Sequence, residues 1–286
     1  MTNRAIEVTS HQFISFDETA IHYLHVKSSE PPKAVAIIVH GMGEHAGRYR
    51  NFAEYLSTLG ITSYLPDLRG FGKSGGKRAC VRSFGEFHRD LEALHSYVGR
   101  NHEGVPLFLV GHSFGGLITS SYLAFCKTPK VNGLILSSPI FGIGVPVPRW
   151  RDWLAMLMSV LFPDYTEPSR VKPELLTHDL EILELYAKDD LIFHMIGARL
   201  YVELKKIIDR RRQIAMALRL PVLVLQAGED HIVSKEKTLL FFEDLKIQDK
   251  ELEIYNDFYH EILNESRRDL VYSRMGRWIL SKLSYK

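Results

Sequence analysis

The sequence predicts an α/β fold: a mostly parallel, eight-stranded sheet with helices on both faces, interrupted by an inserted helical segment. Three observations carry that prediction. Short apolar runs alternate with longer segments of helical periodicity, the runs are continuously apolar, and the alternation breaks after residue 140 and resumes near residue 220. A strand buried on both faces needs a continuous apolar run, and a parallel sheet covered by helices supplies that environment. The 286 residues, 45% of them hydrophobic, suffice for a core of this size.

The elements follow in order. Residues 12–16 and 21–26 alternate like an antiparallel hairpin that opens the sheet. Apolar runs then stand at 34–39, 107–110, 134–136 and 222–225, each ending in Gly, His, Ser or a turn. Between them, residues 83–98 put Phe84, Phe87, Leu91, Leu94 and Val98 on one face at three- and four-residue steps, the spacing of an amphipathic helix. Residues 117–125 and the closing stretch 266–283 read as further helices, and 251–255 as a last strand. The order is β-β-β-α-β-α-β-α-β, an interruption, then β-α-β-α, with no internal repeat.

The interruption divides the chain into a core of residues 1–140 and 218–286 and a helical cap of residues 141–217. It opens with Gly142, Gly144, Pro146 and Pro148 and ends before Pro221 restarts the sheet. Trp150, Trp153, Leu154, Met156, Leu157, Met158, Val160, Leu161 and Phe162 crowd thirteen positions of it. A helix so apolar must bury itself in the core or face something apolar, such as lipid or an acyl chain.

Composition narrows the function classes. With 36 Lys and Arg against 34 Asp and Glu, the formal charge of +2 offers no basis for binding a nucleic acid. The longest apolar stretch, 154–162, falls far short of the roughly 20 residues of a membrane span. The opening residues lack the apolar stretch of a signal peptide. Cys80 and Cys126 are too few for a disulfide framework or a zinc site. The expectation is a cytoplasmic protein without metal or cofactor.

Gly111-His112-Ser113-Phe114-Gly115 fits Gly-x-Ser-x-Gly between an apolar run and a helix. A strand turning sharply into a helix strains the serine backbone, admits only glycine at the flanking positions and holds the hydroxyl above the sheet. Ser113 is the expected nucleophile. It needs a base, and the base an orienting carboxylate, in the chain order Ser, acid, His. Asp230, just past the 222–225 run, is the expected acid, with Glu229, Asp257 and Asp67 as competitors. His260, in a loop after 251–255, is the expected base, with His231 as its rival. The glycines of His40-Gly41-Met42-Gly43, after the first run, let a loop curl so that the Met42 amide faces the nucleophile. Phe114 would supply the second amide of an oxyanion hole.

With these segments in place the chain resembles the monoacylglycerol lipase and lysophospholipase branch of the α/β-hydrolases, also called serine aminopeptidase-like hydrolases, over nearly its whole length. The matching motifs are His40-Gly-Met-Gly-Glu-His45 with Gly47-Arg48-Tyr49, Asp67-Leu-Arg-Gly-Phe-Gly-Lys-Ser74, Gly111 to Gly116, Gly228-Glu-Asp230 and Tyr259-His-Glu-Ile-Leu263. Leu176 to Asp189 resembles the family's cap. Asp190 replaces the usual cap Pro, Leu263 a second histidine of animal members and Val233 their cysteine; the base segment looks more like bacterial members. The resemblance implies that Tyr186, Glu44 and Arg48 stand near the glycerol head group, and that Asp67, Arg69 and Ser74 scaffold a loop. It implies hydrolysis of monoacylglycerols to fatty acid and glycerol, a small lipid ester as partner, and transient membrane-surface contact through the cap. The alternatives are a lysophospholipase, a short-chain carboxylesterase, an aminopeptidase using acids such as Glu167, Glu174, Asp179 or Glu184, and a non-catalytic binding protein on the same scaffold.

Overall fold

Strands β1 (Glu7–Ile14), β2 (Ala20–Lys27), β3 (Ala34–Val39), β4 (Ile61–Pro66), β5 (Leu107–His112) and β6 (Gly133–Ser137) precede the interruption. Strands β9 (Val222–Ala227) and β10 (Lys250–Tyr255) follow it. All eight form one sheet in the order β1-β2-β4-β3-β5-β6-β9-β10. β2 is antiparallel to β1 and β4, and the remaining pairs are parallel. The computed structural model describes residues 6–127, 130–144, 148–169 and 171–283; Pro146, the opening residues 1–5 and the closing 284–286 lie outside them.

Alternation along each inner strand builds two cores. Val35, Ile37 and Val39 join Leu107, Leu109, Val222 and Val224 on one face, while Ala36, Ile38, Phe108, Val110, Leu223 and Leu225 point to the other. Helices α2 (Gly85–Asn101), α3 (Phe114–Phe125) and α8 (Lys235–Asp244) cover the first face through residues such as Phe87, Leu91, Ile118 and Phe241. Helices α1 (Arg50–Thr58) and α9 (Arg268–Ser281) cover the second through Phe52, Leu56, Met275 and Trp278. Two-sided burial is what made the inner runs continuously apolar.

The differences from the sequence reading have local causes. β1 starts at Glu7, earlier than the alternation indicates, because this edge strand pairs only with β2 and leaves Glu7, Ser10 and His11 exposed. Phe16 lies beyond it. α3 begins at Phe114, immediately after the serine, rather than at residue 117. β4 is polar at Thr62 and Ser63, so no apolar run marked it; Thr62 Oγ1 accepts the Ser28 amide at 3.2 Å.

Between β6 and β9 lie α4 (Arg149–Leu161), a ribbon of β7 (Thr166–Pro168) and β8 (Met195–Gly197), α5 (Leu180–Ala187), α6 (Ala198–Asp209) and α7 (Arg211–Ala217). Leu200 and Leu204 of α6, with Ile214 and Ala215 of α7, sit in the first core alongside α3. The first part of the segment stands over the carboxyl ends of the strands.

Candidate active site

Ser113 occupies the turn between β5 and α3 with φ 50° and ψ −112°. Such a conformation costs a non-glycine residue about 1–3 kcal/mol and persists only where its surroundings enforce it. They do so here: the Ser113 amide donates to Ser137 O at 2.9 Å, and its carbonyl accepts the Gly116 and Ile140 amides. The flanking glycines are a matter of close approach. A Cβ on Gly111 would meet Gly115 O at 2.5 Å, and one on Gly115 would meet Val39 O at 2.2 Å. Helix α3 therefore starts hard against the end of β3.

His260 lies in the loop after β10, and its Nδ1 is 2.8 Å from Asp230 Oδ2. The Asp230 side chain is buried and also accepts the Ile232 and Val233 backbone amides at 3.0 and 2.9 Å and the Gln226 side-chain amide at 3.1 Å. Burial alone would raise its pKa, but the imidazole and these donors outweigh it and hold the carboxylate below its ordinary range. For His260, burial works to lower the pKa, and the Asp230 carboxylate outweighs it, so the imidazole titrates above an ordinary histidine. The competing residues are engaged elsewhere. Asp67 accepts from His22 Nδ1 and the Ala46 amide, Asp257 pairs with Arg267 on the surface, and His231 is exposed against the Tyr259 ring. Asp67, Arg69 and Ser74 brace their own loop: Ser74 Oγ donates to Asp67 O, and Arg69 pairs with Asp90 and Asp17.

Ser113 and His260 line one cavity of about 210 Å³, together with Met42 of the loop after β3. A buried water needs roughly 10–15 Å³ of such space, so this volume would take well over ten waters. Phe114 is the first residue of α3, where the helix leaves its amides unpaired; its ring is fixed edge-on between Phe84 and Phe87 at 5.8 and 5.2 Å. Among the described residues, neither the Met42 nor the Phe114 amide donates to a protein acceptor. His112, between Gly111 and Ser113, is pushed down to about 3, mainly by burial, and stays neutral.

Glu44, Arg48 and Tyr186 form one cluster at the polar end of this cavity. Glu44 Oε1 accepts the Gly41 amide and the Tyr49 hydroxyl, both at 2.6 Å, and its Oε2 accepts Arg48 Nε at 2.9 Å. The Arg48 guanidinium lies 4.8 Å over the Tyr186 ring. Two members escaped the sequence reading. Glu261, which also binds Arg48, follows the base directly, inside the Tyr259 to Leu263 motif, with no spacing that sets it apart. Gln226 faces Asp230 from the end of β9, with no pattern to mark it. The rest of the lining is mostly apolar, with Ile140, Ile143, Val171, Leu176, Leu204 and Ile232, and includes the charged Arg151 and Glu167 of the insertion.

The family model described as Serine aminopeptidase, S33 matches residues 30–267, which include all of these loops. The chain belongs to this family of hydrolases. Its relatives include phospholipase YtpA of Bacillus subtilis, 30% identical over 85% of this chain and 94% of that one. The monoglyceride lipase of Rattus norvegicus is 33% identical over 84% and 79% of the two chains. The crystal structure of Paleococcus ferrophilus monoacylglycerol lipase superposes with a TM-score of 0.83 at 27% identity, covering 96% of this chain and 99% of that one. As a member of the family the chain has the α/β-hydrolase fold, with its sheet order and the interruption after β6.

Proposed function

We propose that this carboxylic ester hydrolase cleaves monoacylglycerols to fatty acid and glycerol through a covalent acyl-enzyme. Ser113 attacks the ester carbonyl while His260 takes its proton, and Asp230 holds the imidazole in the tautomer that leaves Nε2 free to accept it. The Met42 and Phe114 amides receive the charge that develops on the carbonyl oxygen; losing one such donor typically costs about 100- to 1,000-fold in rate. His260 then protonates the departing alcohol and activates water against the acyl-enzyme.

The substrate assignment rests on one observation. A single cavity joins the strained serine to an extensive apolar wall and to a charged cluster of Glu44 and Glu261 beside Tyr186, with Arg151 and Glu167 as its other charged members. An acyl chain fits the first and a polyol the second, and relatives named monoglyceride lipase favour that division. Segment 141–217 acts as the cap, and its exposed apolar helix meets the lipid surface on which such substrates are dispersed. The discriminating experiment measures fatty acid release from long-chain monoacylglycerol beside triacylglycerol, lysophosphatidylcholine and a short p-nitrophenyl ester. Preference for the monoacylglycerol, abolished by Ser113→Ala, is the expected result. Activity confined to the short ester would make the protein a general carboxylesterase.

A further inference from the structure

The polar end of the cavity carries a charge imbalance that ester hydrolysis does not require. Glu44 and Glu261 line the cavity beside Ser113 and His260, and each is 4% exposed. Both carboxylates converge on one guanidinium, Arg48, which stands behind them: its Nε donates to Glu44 and a terminal nitrogen to Glu261. A methyl on Gly41 would lie 2.6 Å from Glu44 Oε1 and 3.4 Å from Ser113 Cβ, so this carboxylate and the serine are neighbours across the glycine. Asn264 Nδ2 donates to Glu261 at 3.0 Å and fixes the second carboxylate. Two acids against one base leave a net negative charge where the departing alcohol sits, and Asp230 behind a neutral His260 adds to it. Arg151 and Glu167 of the insertion also line the cavity and carry opposite charges, so together they add none.

We infer that Glu261 sets the charge class of the leaving group: together with Glu44 it admits uncharged or cationic alcohols and rejects those that carry a phosphate anion. The inference rests on the ester-hydrolase reading above and deepens it. An unmatched unit charge about 8 Å from an anion, at an effective dielectric of about 20, changes binding by more than about tenfold. Arg48 offers no refuge to a phosphate, because its charge is already outnumbered.

The test uses two soluble esters that differ only in the phosphate, 1-butyrylglycerol and 1-butyrylglycerol 3-phosphate, with release of butyrate as the readout. The wild type is expected to favour the uncharged ester at least about tenfold in kcat/KM. Glu261→Gln should narrow that ratio about tenfold, chiefly through the KM of the phosphate ester, whereas Glu261→Asp should keep it. Equal rates for the two esters in the wild type would overturn the inference. A ratio unmoved by Glu261→Gln, or moved equally by Gln and Asp, would do the same and assign Glu261 to packing. Should Glu261→Gln fail to fold, Glu44→Gln makes the same change of charge and carries the same expectation. Because both esters have a four-carbon chain, failure of the long-chain reading would leave this ratio measurable.

Discussion

Asp230 accepts four hydrogen bonds with its two carboxylate oxygens, and only one comes from His260. The others fix the carboxylate so that the imidazole is oriented rather than merely neutralised; His260 first, and then the Val233 and Ile232 amides, keep it ionised despite its burial. The sign of the pH dependence follows. Hydrolysis needs neutral His260, whose pKa is raised by the Asp230 charge, so kcat/KM should fall with decreasing pH through a value above the roughly 6.5 of a free imidazole. Asp230→Asn removes that charge, so the acid limb should move to lower pH while the rate falls by about 10,000-fold. A pH–rate profile of both proteins on a soluble ester decides it; a limb that stays in place would belong to another group.

Helix α4 reverses the usual rule for an amphipathic element. It docks through small and polar residues: Ala155 and Ser159 are buried, and Asp152 accepts the Tyr201 hydroxyl and Lys205 Nζ of α6, both at 2.6 Å. Trp150, Trp153, Leu154, Met156, Leu157, Val160 and Leu161 are exposed instead, Trp153 and Val160 each to 72%. The proposed lipid docking rests on an apolar face of this extent, larger than scattered exposed apolar residues need. Trp153→Ser with Leu157→Ser should therefore lower activity on dispersed long-chain substrate several-fold more than on a soluble short ester. An equal loss on both, in parallel assays, would deny the helix a lipid-facing role. Periodicity made the helix legible but not its inner face, since an apolar crowd reads the same whether buried or bare. The inner strands were legible because both their faces are buried, as for β3 and β5. β4 entered the predicted order without an apolar run to mark it, because Thr62 and Ser63 interrupt its apolar residues, and the partner of Thr62, Ser28, lies on a distant stretch of chain.

On the scale of the molecule, the insertion grips the two loops that flank the serine. The Phe193 amide donates to Gly43 O at 2.8 Å, His45 Nε2 lies 2.7 Å from Asp189 Oδ2, and Tyr186 stacks on Arg48. On the other side the Glu261 amide donates to Leu176 O at 2.8 Å, and Thr177 Oγ1 donates to Asn264 O at 3.0 Å. His45 Nδ1 accepts the Gly47 amide, so the proton sits on Nε2 and points at Asp189; the pair is a donor and acceptor in fixed roles. Chain order and glycine spacing were enough to set His40 to His45 and His260 at the ends of their strands. The partners that hold them are more than 80 residues away, and no local pattern records such a contact. On the proposed mechanism the Met42 amide meets a developing charge, so its loop gains from being held by the insertion, because misplacement by even 1 Å costs rate steeply. Asp189→Ala should lower kcat/KM on a soluble short ester by about 3- to 30-fold, against a fall in Tm of no more than about 4 °C. The soluble ester excludes any effect of lipid docking. An unchanged kcat/KM would reduce the insertion to a roof over the cavity, with no hand in placing the oxyanion donors.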